Sequence, residues 1–196
     1  MSSNIQIRLS IMMAFIASTY SLCAASIDNR HVFCASDSTK IDTFPIPKGV
    51  DNLLFYIQRD PNTNTICYTL NLNKSGELNT ANPINAFWIR YPEGGARKDL
   101  NFIQRKFAYG ITAKKNNDGT YDVRSVAYNK LPLTLKKDSN GRYHIYTDIS
   151  NKESVLERIF IRIGDGGTFW APDVKYIELK GVDVKSGRRI IDRFKP

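Results

Sequence analysis

Histidine, glutamate and cysteine are all scarce in this chain, which contains two histidines, five glutamates and three cysteines among its 196 residues. His31 and His144 are far apart and no cysteine cluster accompanies them, so a zinc site would need carboxylates at no recognisable spacing. "NNDGT" and "GDGGT" do not complete the D-x-[DN]-x-[DN]-G pattern of a calcium loop. "GDGG" also lacks the Lys-Ser/Thr and the helix of a phosphate loop, and reads as a turn. There is no G-x-S-x-G nucleophile elbow and no C-x-x-C dithiol. Neither a metal nor a cofactor is therefore expected. His144 alternates with Tyr143 and Ile145 and reads as a surface histidine beside Tyr146. A carboxylate pair for glycoside hydrolysis can be distant in sequence. Of Glu77, Glu93, Glu153, Glu157 and Glu178, the last two fall within strands, and neither context reads as buried. An enzyme of unrecognised type would need such a pair, or His144, in a cleft. The expected class is non-catalytic.

Charge is scarce at the N-terminus, and that scarcity carries information. Arg8 is the single charged side chain in the first 25 residues, followed by "LSIMMAFIAS" and "YSLCAAS". This is the n-region, h-region and small-residue cleavage site of a secretory signal, with the cut expected before Ser26. Leu9 to Ala25 is just short of a comfortable membrane span, and no other segment approaches that apolar length. A retained anchor is one alternative. A lipoprotein acylated at Cys23 is another, ranked second because Leu22 is a poor residue before such a cysteine. The expectation is an exported protein, periplasmic or secreted, with no transmembrane segment after cleavage.

The whole chain carries +9, with 28 basic and 19 acidic residues, and loss of Arg8 leaves +8. Such a balance favours anionic surfaces. Its Lys and Arg residues are scattered, densest at Lys180, Lys185, Arg188, Arg189, Arg193 and Lys195, and read as a solvated face rather than a nucleic-acid patch. No specific nucleic-acid binding is expected.

Two cysteines follow the leader. In "TICYTLNL" the alternation puts Ile66, Tyr68, Leu70 and Leu72 on one face and Thr65, Cys67, Thr69 and Asn71 on the other, so Cys67 points away from the main core. A Cys34–Cys67 bridge is expected to staple an irregular arm, residues 26–50, across the outside of a sheet; closing that loop is worth about 3 kcal/mol in the chain-entropy model.

From residue 51 onward, short apolar or alternating runs recur every ten to fifteen residues: "LLFYIQR", "TICYTLNL", "NAFWIRY", "TYDVRSVAY", "LPLTLKK", "RYHIYTDI", "VLERIFIRI", "VKYIELKGVDV" and "RRIIDRF". Turn chemistry separates them, including Asn117-Asp118-Gly119 and Ser139-Asn140-Gly141. The predicted fold is a single mainly β domain, residues 51–196. It is expected as an antiparallel meander closing into a barrel, with a two-sheet sandwich as the alternative. "ARKDLNFIQRKFAYG" breaks the rhythm, placing Leu100, Ile103 and Phe107 at helical spacing, with Asp99 near the start and Gly110 beyond. One helix over 97–108 is predicted, against the sheet or plugging one end. The triplet Ile57-Gln58-Arg59 recurs as Ile103-Gln104-Arg105, but one copy falls in a strand and the other in the helix, so it is no repeat.

"NLLFYIQRDPNTNTICY", "NPINAFWIRYPEGG" and "LNFIQRKFAYGI", in that order, resemble the domain of unknown function 4833 family, whose members look like exported bacterial proteins. The resemblance spans roughly residues 51 to 191 and is most specific from Phe55 to Thr65 with Tyr109-Gly110. It implies export and one domain, and it transfers no activity, cofactor or catalytic residue.

The polar groups left over are Gln58, Arg59, Asn62, Asn64, Arg90, Gln104, Arg105, Lys106 and Tyr109. Arg90 shares a face with Trp88, and an arginine beside an aromatic ring holds a carboxylate, phosphate or sugar. The set is read as a ligand-binding rim for a small anionic or glycan-like molecule at a barrel mouth. The competing structural reading makes Asp60-Pro61-Asn62-Thr63-Asn64 a hairpin turn bonded to its own backbone, and the arginines ordinary barrel-end cations. A second function class is an accessory protein of the cell envelope acting through protein–protein contacts.

Overall fold

The computed structural model describes residues 43–167 and 172–196. The expected leader, Cys23, His31 and Cys34 lie outside the described residues.

Eleven strands form one sheet: β1 (Leu53–Asp60), β2 (Asn62–Leu70), β3 (Ile84–Arg90), β4 (Ala96–Asp99), β5 (Ile111–Lys115), β6 (Tyr121–Ser125), β7 (Leu133–Lys137), β8 (Tyr143–Ile149), β9 (Lys152–Gly167), β10 (Pro172–Asp183) and β11 (Arg189–Phe194). Between β4 and β5 a helical turn over Phe102–Gln104 continues as a π-type turn over Arg105–Tyr109; together they are α1. The two glycine turns form as expected, with Gly119 and Gly141 at φ +84° and +78°, where a side chain would be strained.

The sixteen-residue β9 organises the sheet. Ser154 and Val155 pair with Thr147 and Tyr146 of β8, while Arg158 to Arg162 run parallel to Tyr56 to Asp60 of β1. β10 pairs antiparallel along the other edge, so β1 and β8 leave the same edge of β9 in succession. Two arms follow, β1-β2-β3-β4 and β8-β7-β6-β5, bridged at their far ends by α1. The result is a strongly curled half-barrel, mostly antiparallel with some parallel pairing. The mainly antiparallel β fold expected from the sequence is what forms, and its one parallel pair among the described strands is β1–β9: a parallel pair needs a long crossover, and here both arms lie between its strands in the chain.

Alternation sorts the strands into two faces. Phe55, Ile57, Ile66 and Tyr68 join Leu133, Leu135, Ile145, Leu156, Ile159, Ile177 and Leu179 in the main core. The Phe55 and Tyr68 rings stack with centroids 4.5 Å apart. Tyr68 is wholly buried, and its hydroxyl donates to the Tyr109 carbonyl at 2.9 Å. On the outer face, Cys67 packs with Tyr56, Phe87 and Ile89. It does point away from the main core, as the alternation predicts, yet it is completely buried, and it has no disulfide partner among the described residues.

The segment before β1 covers this outer face. Phe44 meets the Phe160 ring edge-on at 5.1 Å and joins a cluster with Tyr176. Gln58 Nε2 donates to the Pro45 carbonyl at 2.7 Å and to Thr65 Oγ1 at 3.1 Å. Nearby, Glu178 accepts from Arg158 Nη2 and from Arg193 Nε, each at 2.7 Å. Glu178 is 2% exposed, which corrects the reading of it as an unburied strand residue.

Candidate functional site

The helix expected over 97–108 begins later. Residues 96–99 are strand: Arg97 to Asp99 pair with Ile89 to Phe87, and the Arg97 guanidinium lies 3.7 Å over the Phe87 ring. The helix cap is Asn101, and Asp99 ends β4. Asn101 Oδ1 accepts from the Gln104 backbone at 2.8 Å, while Gln104 Oε1 accepts from the Asn101 backbone at 3.0 Å, a reciprocal capping box. Gly110 closes α1, and a Cβ there would collide with the Arg105 carbonyl oxygen. Of the apolar residues at helical spacing, Leu100 is buried but Ile103 and Phe107 are 54% and 56% exposed. The period identified a helix correctly; the stripe it marks faces a cavity mouth and solvent.

That cavity, about 690 Å³, lies on the concave face between the arms and α1. Its buried wall is apolar: Phe55, Ile57, Leu133, Ile159 and Ile177. Part of its exposed lining, Lys98, Asp99, Asn101, Ile103 and Phe107, marks a mouth beside α1. Trp88 and Tyr109 meet edge to face in the wall, centroids 5.0 Å apart. Trp88 Nε1 donates to Gln104 Oε1 at 3.4 Å, tying the β3 face to the helix cap.

Six residues of the expected rim line this one space: Arg59, Asn62, Asn64, Arg90, Gln104 and Tyr109. Three do not. Gln58 faces the outside of the sheet, bonded to Pro45. Arg105 Nε donates to the Leu100 carbonyl at 3.0 Å, a local helix contact. Lys106 Nζ lies 5.6 Å and 5.3 Å from the Phe102 and Phe107 ring centroids, on the outside of α1. The turn at 60–64 is part of the answer too: the Asn64 backbone donates to Asn62 Oδ1 at 2.9 Å, while Asp60 forms an ion pair with Arg162 instead of capping the turn.

The charges in the wall differ in their commitments. Arg90 is paired with Glu93 at 3.1 Å. Arg59 is half-buried and makes no ion pair among the described residues. Burial pushes the Tyr109 phenol up from its ordinary value, and the Arg59 charge beside it pulls the other way. Asn64 Oδ1 is buried without a hydrogen-bond partner among the described residues. Lys98, Asn101, Tyr128 and Leu131 also line the cavity and were not expected; no local pattern distinguishes them, since β4 and the 126–131 connection meet the cavity only through the curl of the sheet. His144 is half-buried, 3.3 Å from Asp138, and does not line this space. Among the described residues, no group of histidine, cysteine and acidic side chains is arranged to hold a metal, and no helix is long and apolar enough to cross a membrane.

A family model described as Domain of unknown function (DUF4833) matches residues 55–193. The chain belongs to this family. The match covers both arms, β9–β11 and nearly every residue that lines the cavity, so the half-barrel and its concave space are the DUF4833 domain itself. No curated protein and no solved structure matches the chain.

Proposed function

We propose that this DUF4833 protein is an exported, non-catalytic binding protein whose half-barrel cavity takes an elongated anion: an apolar body in the cavity and a carboxylate or phosphate at Arg59. One observation carries the reading. Arg59 is a half-buried guanidinium with no ion pair among the described residues, on the wall of a space whose depths are aliphatic and aromatic. A charge in such surroundings interacts strongly with an opposite charge, and a guanidinium grips a carboxylate or phosphate through two donors at once. A pocket lined largely by apolar side chains with a few convergent polar groups is the common form of a small-ligand site. A glycan fits less well, because its many hydroxyls would face Ile57, Ile159 and Ile177.

Export is part of the proposal, supported by the leader composition, and the Cys34–Cys67 bridge goes with it. Its support is the position of Cys67 on the same outer face that the segment around Phe44 crosses.

Titration calorimetry with dodecanoate and with cellobiose tests the reading. Saturable binding of dodecanoate is expected, weakened on the order of tenfold or more in Arg59→Ala, since a hydrogen bond to a charged partner is worth roughly 1.5–3 kcal/mol. No binding of dodecanoate, or equal binding by Arg59→Ala, would overturn it.

A further inference from the structure

Seven large apolar side chains stand exposed among the described residues, and three of them fall within six positions of α1. Phe102, Ile103 and Phe107 are 73%, 54% and 56% exposed; the other four, Ile46, Val126, Val184 and Ile191, are dispersed along the chain. Single exposed apolar residues are ordinary, whereas a cluster marks a contact surface. The chain segment that carries this cluster is predominantly cationic. From Ala96 to Lys115 the cations are Arg97, Lys98, Arg105, Lys106, Lys114 and Lys115, and the one acid is Asp99. Lys106 Nζ sits near both aromatic rings, an apolar body with a cationic rim. Ile103 and Phe107 also line the cavity, so the cluster borders its mouth.

We infer that α1 docks this mouth onto an anionic lipid surface, with Phe102, Ile103 and Phe107 entering the headgroup region and the surrounding cations meeting lipid phosphates. Aromatic and aliphatic side chains flanked by basic ones are what an interfacial segment needs: apolar burial holds it, and charge selects the anionic bilayer. A protein partner of ordinary composition would leave the local positive charge uncompensated. The docking stands apart from whether the cavity is filled. That the bilayer supplies the cavity's anion rests on the proposed function, and the two are measured separately.

Vesicle co-sedimentation with phosphatidylcholine alone and with added phosphatidylglycerol tests the docking. The protein is expected to partition onto the anionic vesicles and far less onto the neutral ones, with binding that weakens as salt rises. Phe102→Ser combined with Lys106→Glu replaces no cavity-lining residue; it is expected to lower partitioning by on the order of tenfold or more and to leave dodecanoate titration unchanged. A Phe102→Trp variant provides a second readout, a blue shift of the new indole emission on anionic vesicles. Absence of binding to anionic vesicles, equal binding to neutral ones, or undiminished binding by the double variant would overturn the inference. So would burial of this surface in a self-associated species detected by sedimentation velocity without vesicle binding. Vesicle docking without dodecanoate binding would leave the docking standing and sink the cavity reading alone.

Discussion

Trp88 and Gln104 join two parts of the chain that share no strand pairing: the indole Nε1 donates to the same Oε1 that accepts from the Asn101 backbone. One amide oxygen therefore closes the capping box of α1 and ties the helix to β3. Replacing Asn101 by Ala removes the other half of the box and is expected to cost about 1 kcal/mol. Chemical denaturation should show a lower midpoint with an unchanged slope, and an unshifted midpoint would mean that α1 is held by packing alone.

Arg59 and Arg105 occupy matching places in the recurring triplet but have opposite roles. Arg59→Ala is expected to keep stability within about 0.5 kcal/mol of the parent, as for a side chain without an ion pair, and to weaken dodecanoate binding. Arg105→Ala removes the donor to the Leu100 carbonyl, lowers stability by about 1 kcal/mol and leaves binding in place. Measuring both affinity and denaturation midpoint for each variant separates the roles. The reverse pattern would assign the binding role to the helix copy.

Periodicity made the β class, the outward Cys67, the glycine turns and the existence of a helix legible before any coordinates. It gave no partner for β1, because alternation reports which face a side chain takes and not which strand lies beside it. Parallel pairing to β9 therefore went unseen. The burial of Glu178 is hidden for a related reason: β10 needs a polar group there only because Arg158 and Arg193 arrive from β9 and β11. Arg97 and Lys98 read as helical because charged residues on a short exposed strand carry no apolar alternation. Six of the nine polar residues singled out in the sequence line one cavity, but Gln58 and Arg59 show the limit of such reasoning, since neighbours in a strand face opposite sides of the sheet.

Glu178 bonds both Arg158 and Arg193 almost out of contact with water, with side-chain exposures of 2%, 6% and 15% for the three. Removing the carboxylate alone would leave the buried Arg158 guanidinium without its ion-pair partner. Glu178→Ala is expected to cost about 3–5 kcal/mol, the penalty typical of breaking a buried pair by deleting one partner. Arg158→Met leaves Glu178 bonded to Arg193 and should cost distinctly less. A double-mutant cycle on Arg158 and Glu178 measures the coupling; additive effects would show that the pair contributes by packing rather than charge.

Cys67 gives the protein an alkaline weakness whose sign follows from its surroundings. Burial pushes its thiol up to about 12 from an ordinary value of 9.0, with Arg97 opposing the shift only in part. Burial likewise raises the Tyr56, Tyr68, Tyr91 and Tyr109 phenols. In each case the unfolded chain loses its proton at a lower pH than the folded one, so stability is complete below the unfolded value and is lost as pH rises toward the folded one. For the reduced thiol that window runs from about 9 to about 12. Denaturation midpoints of reduced parent and Cys67→Ala should therefore converge as pH rises through it, because the variant has no thiol to ionise, whereas its cavity cost is independent of pH. Parallel curves would show that the thiol ionises freely in the folded protein. The same residue reports on the proposed bridge: the folded thiol should resist aromatic disulfide reagents at neutral pH, and a Cys34–Cys67 bond would keep it silent even after unfolding without reductant.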